Sequence, residues 1–559
     1  MIAWMIYFCF KEHHMHKIVA VFAICFFVGA GLRAQMKVPG AEKPRLVVGI
    51  VVDQMRWDYL QRFRERFAAN GGFLRMMQQG YSYDNLLIPY VPTVTACGHT
   101  CIYTGSVPSI HGITGNHWWD ARRHKDVYCA SDDSVQGVGV SGSEGRMSPK
   151  NMQVTTIGDE LRMATNFRGK SIGIALKDRG AIFPAGHSAN GAYWYDNTTG
   201  RMISSSYYDS VLPDWVTSFN DRKLPDEYYR RRWKTMYPLA SYTSSTTDQK
   251  AYESKPYGTS KNGFPYDFSE YIGKNYGILY TTPYGNELTY ELAKAAVTAE
   301  QLGKDSFTDL LAVSFSSTDA VGHSFGPNSI EVEDMYLRLD SILGAFFRYL
   351  DVQVGAGRYV AFLSADHAVA HVPGYLTEHK IPGGTAKFEG AIDRLKQVFR
   401  AKYGSEKLFD AESNSQLFFN HDVIDSLRIN PAALVDEAVR IFRNEPYVSA
   451  VIPASALMTY PMNEQQRMKF ANSYFHGRSG DVYIILKSGY QEGYTTGTGH
   501  SAWYNYDAHI PMVWYGWKVP KGRSRRTVYM TDIAPTIAAM LDIQMPSGSV
   551  GEVLVEVVK

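Results

Sequence analysis

The sequence predicts an α/β protein: a mostly parallel central sheet flanked by helices, with inserted cap segments over one edge. Three observations predict it. Four short runs, Arg45–Asp53, Lys170–Lys177, Leu310–Phe315 and Tyr359–Leu363, are mainly apolar and β-branched, the pattern of strands buried on both faces. Helical patterns lie between them, the alternation that builds a parallel sheet. Each run is followed at once by charged or imidazole side chains, and open α/β sheets bind ligands outside the carboxyl ends of their strands.

The elements follow in chain order. Lys17 precedes the apolar run Ile18–Gly31, and Leu32-Arg33-Ala34 before Gln35 reads as a cleavage point. Residues 1–34 are therefore expected to be a secretory signal peptide, with Met15 as an alternative start. The run is short for a membrane span, so no stable membrane insertion is expected after cleavage. The mature chain, 35–559, is expected to be one catalytic domain, periplasmic or secreted. Arg45–Asp53 is its first strand. Pro92–Thr100 reads as a loop leading into a helix, and Lys170–Lys177 is the second strand. Residues 181–285, rich in Tyr, Ser, Gly and Asn, have few periodic runs and read as a first insertion. Leu310–Phe315 is the third strand. Ile330–Leu350 is a long amphipathic helix, with Met335, Leu339, Ile342, Leu343 and Phe346 among its apolar members. Tyr359–Leu363 is the fourth strand. Residues 371–490 carry helices of their own and a strand, Asp481–Leu486, and read as a second insertion. His509–Tyr515 returns as a strand, and Ile533–Leu541 is a helix that Asp532 or Thr531 caps.

Composition excludes several classes. The 559 residues are 45% hydrophobic and 20% charged, as in a folded globular protein. Lys and Arg number 57 against 55 Asp and Glu, and removing the leader leaves 54 of each. A balanced mature chain argues against a nucleic-acid binder, which must neutralise many phosphates. Beyond the leader only Cys97, Cys101 and Cys129 remain, an odd number without repeating spacing. This is no disulfide scaffold, and the three read as small buried hydrophobes. Oligomeric state leaves no mark in the sequence.

The strand ends carry the chemistry. Asp53, Asp319, His323, Asp366 and His367, with His500 further on, offer three carboxylates and three imidazoles. Mixed oxygen and nitrogen donors suit zinc better than manganese or iron. Six ligands exceed what one catalytic tetrahedral zinc uses, and they divide into two metals with three protein ligands each. Two metals about 4 Å apart clamp the attacking and leaving oxygens of an in-line displacement at phosphorus. Lys177 and Arg179, two apart at a strand end, are expected to point the same way, with Asp178 opposite. Two cations fit a group with more than one negative charge, such as a phosphate monoester. The nucleophile falls among Thr93, Thr95, Cys97 and Thr100, at the start of the predicted helix.

Together these motifs resemble the alkaline phosphatase superfamily, and within it the PafA-type, phosphate-irrepressible bacterial alkaline phosphatases. The matching elements are Asp53, Thr-Ala-x-Gly-His at 95–99, Gly-Ile-x-Gly-Asn ending at Asn116, and Lys177-x-Arg179. They continue with Asp319-x-x-x-His323, Asp366-His367 and Gly-Thr-Gly-His at 497–500. The resemblance implies that Thr95 is the nucleophile of a phospho-threonine mechanism. It implies that Asp319, His323 and His500 hold one zinc ion, and that Asp53, Asp366 and His367 hold a second, which Thr95 also binds. It implies that Asn116, Lys177 and Arg179 contact the phosphoryl oxygens, that two zinc ions are bound per chain, and that the substrates are small phosphate monoesters. A sulfatase is disfavoured, because Cys97 lacks a Cys-x-Pro-x-Arg context. A nucleotide phosphodiesterase of the same superfamily is the rival enzyme, and a metal-stabilised binding protein the rival of another class.

Overall fold

Ten strands form the central sheet: β1 (Leu46–Val52), β2 (Tyr81–Leu87), β3 (Gly137–Val138), β4 (Ser171–Ala175), β5 (Gly191–Asp196), β6 (Arg201–Ser205), β7 (Asp309–Phe315), β8 (Tyr359–Ser364), β9 (His509–Gly516) and β10 (Gly522–Tyr529). Their order across the sheet is β10-β2-β9-β8-β1-β7-β4-β5-β6-β3. The computed structural model describes residues 42–558. The expected signal peptide lies outside the described residues, and none of the described helices is long and apolar enough to cross a membrane.

The expected class holds: β8, β1, β7, β4 and β5 are mutually parallel neighbours, while β9 and β6 run against them. β1 reads Leu-Val-Val-Gly-Ile-Val-Val and is buried at every position, because β7 and β8 flank it and helices cover both faces. Gly49 is required there: a Cβ would lie 2.1 Å from the Tyr103 hydroxyl of the covering helix. That helix is α1 (Thr95–Thr104); α2 (Asp178–Ala185), α3 (Ser317–Phe325) and α4 (Ile330–Leu350) follow. α4 starts at Ser329, whose side chain accepts from Val332 N, and buries the apolar stripe expected of it.

The segment 181–285 departs from the expected insertion. Its first part is α2, then β5 and β6, which extend the sheet beyond β4. Gly-Ala-Tyr-Trp-Tyr-Asp and Arg-Met-Ile-Ser-Ser lack the Val/Ile run of a central strand, so local pattern hides them. Asp196 makes the hairpin turn between them, its carboxylate accepting from Thr198 N and Thr199 N. Residues 371–490 instead carry a four-stranded sheet of Phe409–Ser413, Gln416–Phe419, Val482–Leu486 and Val448–Pro453, in that spatial order. Leu395, Phe399, Leu417, Leu434 and Phe442 form its own apolar core.

Candidate dinuclear metal centre

Four adjacent parallel strands deliver the site. Asp53 follows β1, Lys177 follows β4, Asp366 and His367 follow β8, and Asp319 and His323 sit one turn apart on α3, after β7. His500 arrives on the loop before β9. Asp53, Asp366 and His367 are fully buried, and Asp319 is 4% exposed.

Each of the three imidazoles is oriented by a backbone carbonyl on its outer nitrogen. Nδ1 of His323 donates to Thr498 O at 2.7 Å, that of His367 to Ala368 O at 3.0 Å, and that of His500 to Thr93 O at 2.6 Å. In His367 and His500 this fixes the proton on Nδ1 and leaves Nε2 with a free lone pair aimed inward, as metal-ligating histidines require, whereas burial works against a charged His323 and the Asp319 carboxylate raises its pKa. Burial lowers the pKa of His367, and burial with neighbouring His367 and His323 lowers that of His500 further, which keeps both rings neutral.

The inward atoms converge in two groups, Asp53 with Asp366 and His367, and Asp319 with His367 and His500; within each group the ligand atoms lie within 4.8 Å of one another. The first is a ligand trio that the resemblance implied. The second has His367 where His323 was expected. His367 stacks on His500 with ring centroids 3.6 Å apart, so it lies close to both groups, while His323 Nε2 stands 3.2 Å from Asp319 Oδ1. His367 Nε2 faces Asp53 Oδ1 at 3.6 Å and Asp366 Oδ2 at 3.5 Å, and neither oxygen has a hydrogen-bond partner. Buried acceptors facing one another are costly unless a cation lies among them. The donor set therefore fits two divalent metal ions, and its carboxylate–imidazole character fits zinc.

Charge is balanced by Lys177. Its Nζ lies 2.7 Å from Asp53 Oδ2, 2.6 Å from Asp319 Oδ2 and 3.3 Å from Thr95 Oγ1. Burial alone would lower its pKa, but Asp319 and Asp53 raise it, so the ammonium stays charged. Burial likewise works against ionised Asp319, yet His323 and Lys177 hold its pKa well below the usual carboxylate range. Asp53 goes the other way: burial and the Asp366 carboxylate push it well above.

The four candidate nucleophiles separate cleanly. Thr93 donates to Ala502 O at 3.0 Å, Thr100 to Ala96 O at 2.7 Å, and the Cys97 thiol to Ile113 O at 3.2 Å. Thr95 Oγ1 faces His367 Nε2 at 3.5 Å as well as Lys177. Thr95 is the first residue of α1, where the helix N-terminus favours negative charge. Asn116 sits beside it, its Oδ1 accepting from Ala96 N at 2.9 Å, which turns the amide NH₂ away from the helix. All three cysteines are free and buried.

Arg179 differs from expectation. Lys177 precedes α2, and Asp178 and Arg179 form its first turn, so strand alternation does not apply. Asp178 and Arg179 share a partner: Arg179 Nη1 donates to the Tyr128 hydroxyl at 3.1 Å, and that hydroxyl donates to Asp178. Arg179 is charged and held in place at the site's edge.

Two supporting residues had no separable signal in the sequence. Gln54, with φ 66°, donates its backbone N–H to Asp366 Oδ1 at 3.1 Å and its amide to Asp319 Oδ1 at 2.7 Å. It ties two of the centre's three carboxylates together from a conformation that non-glycine residues seldom adopt. His99 bridges Thr95 O and Ser314 Oγ at 2.9 and 2.8 Å, with Asp366 Oδ2 3.4 Å away. Gly98 explains part of its motif, since a Cβ would lie 2.2 Å from Asp366 O and 2.6 Å from Asp366 Cβ. Gly98→Ala should displace Asp366, lower stability by about 1–3 kcal/mol and reduce bound metal. Thermal melts with metal analysis check this; wild-type metal content would contradict it.

Residues 47–507 match the family model described as Type I phosphodiesterase / nucleotide pyrophosphatase. The chain is 49% identical over 517 residues to the alkaline phosphatase PhoV of Synechococcus elongatus, covering 92% of this chain and 93% of the relative. It is 44% identical over 534 residues to the alkaline phosphatase PafA of Elizabethkingia meningoseptica, covering 95% and 97%. A crystal structure of wild-type alkaline phosphatase PafA matches the fold with a TM-score of 0.90 at 45% identity, over 92% of this chain and 99% of that one.

Proposed function

The chain belongs to the type I phosphodiesterase / nucleotide pyrophosphatase family of the alkaline phosphatase superfamily, and from that premise we propose that it is a zinc-dependent alkaline phosphatase acting through a phospho-threonine. One observation carries the reading: of four candidate nucleophiles, only Thr95 faces the carboxylate–imidazole cluster and a charged lysine. The leader expected at residues 1–34 supports a place of action in the periplasm or outside the cell.

Asp53, Asp366 and His367 would hold one zinc ion, and Asp319, His323 and His500 the other, with Thr95 beside them. When bound, the two ions supply Lewis-acid stabilisation of the attacking and leaving oxygens. The residues do the rest. Thr95 Oγ attacks phosphorus, the Oγ–P bond forms, and the bond to the ester oxygen breaks to release the alcohol. Lys177 and the start of α1 stabilise the Thr95 oxygen as it loses its proton. Water then attacks the phospho-threonine, which releases phosphate and restores Thr95. Asn116, Lys177 and Arg179 contact the non-bridging oxygens, the amide by hydrogen bonding and the two cations by neutralising charge; catalysis is mostly positioning and charge.

The same residues separate monoester from diester. A monoester dianion brings one more negative charge than a diester. Charge-assisted hydrogen bonds of this kind are worth roughly 1.5–3 kcal/mol each. Lys177→Ala and Arg179→Ala are therefore each expected to lower monoester kcat/KM by about ten- to a hundredfold and diester kcat/KM much less. Steady-state assays of both substrates check this; an equal fall would return weight to the phosphodiesterase reading.

A further inference from the structure

A cavity of about 530 Å³ borders the catalytic centre, and no step of the mechanism above uses it. Asn116, His323 and His500 form its inner wall. Its outer walls are the loop 501–507 and strand Val482–Leu486 of the separate small sheet.

Aromatic rings dominate this outer part. Trp503 and Tyr504 have ring centroids 4.4 Å apart, Tyr504 and Tyr506 5.5 Å, and Tyr494 lies parallel to the His323 ring at 6.1 Å. The hydroxyls anchor the rings: Tyr504 donates to Leu486 O at 2.9 Å, and Tyr506 accepts from Gly489 N at 3.3 Å. Trp503 has no such backbone tether among the described residues; its indole N–H meets only the neighbouring Tyr504 side chain. Among the described residues no Lys or Arg lines the cavity, and its carboxylates are Glu492 and Asp507.

We propose that this cavity is the leaving-group subsite and takes an uncharged aromatic or aralkyl alcohol. The proposal rests on the phosphatase reading and adds the substrate class to it. The phosphoryl group must meet Thr95, and Asn116, His323 and His500 border both that position and the cavity, so the organic part of the ester extends into it. The volume suits a small organic group, since ligand pockets span about 300–1,000 Å³. Aromatic walls favour stacking with a ring. A leaving group that carries further phosphates would find no cation here, and unmatched charge is selected against.

Benzyl and ethyl phosphate release alcohols of comparable basicity, so the organic part separates them. The zinc-loaded enzyme should show kcat/KM for benzyl phosphate about tenfold or more above ethyl phosphate. Trp503→Ala should lower the benzyl value about tenfold and the ethyl value much less, and Trp503→Phe should retain most of the preference. A readout without variants is inhibition, where benzylphosphonate should bind about tenfold more tightly than methylphosphonate. Equal kcat/KM in the wild type, an unchanged preference in Trp503→Ala, or equal inhibition by the two phosphonates would overturn the subsite. Hydrolysis of neither ester would overturn the phosphatase reading itself, a distinct outcome.

Discussion

Thr95→Ala is expected to lose at least about a thousandfold in kcat while keeping its metal. The hydroxyl has no substitute: Thr93, Cys97 and Thr100 are each committed to a backbone carbonyl, while Thr95 alone meets His367 and Lys177. The six Asp and His side chains remain when the Thr95 hydroxyl is removed, so most metal binding is expected to survive. Thr95→Ser restores a hydroxyl on the same backbone and should recover most of the loss. Acid quench followed by peptide mass analysis should find phosphate on the Thr95 peptide of the wild type and not of Thr95→Ala. Near-wild-type turnover in Thr95→Ala would contradict the assignment.

His367→Ala is expected to be the most damaging change to the metal centre. It is a donor of the Asp53–Asp366 group and its ring also stacks on His500 of the other, so one substitution removes a donor from one ion and the packing support of a ligand of the second. The wild type should hold about two zinc ions per chain, and His367→Ala should hold fewer and lose at least about a thousandfold in kcat. Chelation of the wild type should abolish turnover, and added zinc should restore it. Elemental analysis beside the assay checks this. Full activity with one ion or none would contradict the dinuclear reading.

The parts legible in the sequence are those written in local pattern. β1 and α4 lie where the Val/Ile run and the helical period put them, and Ile533–Leu541 is the helix expected. Asp53, Asp319 and Asp366 stand out because each follows a buried run, and a carboxylate there is conspicuous. What was hidden depends on distant partners. Gln54 reads as an ordinary turn residue; its role comes from Asp319, 265 positions away. The Lys177-Asp178-Arg179 spacing fits strand alternation, but the chain turns into α2 there, and Tyr128 draws Asp178 and Arg179 to one hydroxyl. β5 and β6 lack a strong run of their own and join the sheet through pairing with β4. The carbonyls of Thr498, Ala368 and Thr93 that orient the three imidazoles come largely from the tertiary fold.

Hydrolysis of phosphate monoesters at this site is tested most directly by the ratio of kcat/KM for an aryl phosphate monoester to that for the corresponding methyl diester, measured on the zinc-loaded wild type. Two matched cationic contacts predict a monoester preference of about two to four orders of magnitude. A ratio near one, or a preference for the diester, would contradict it.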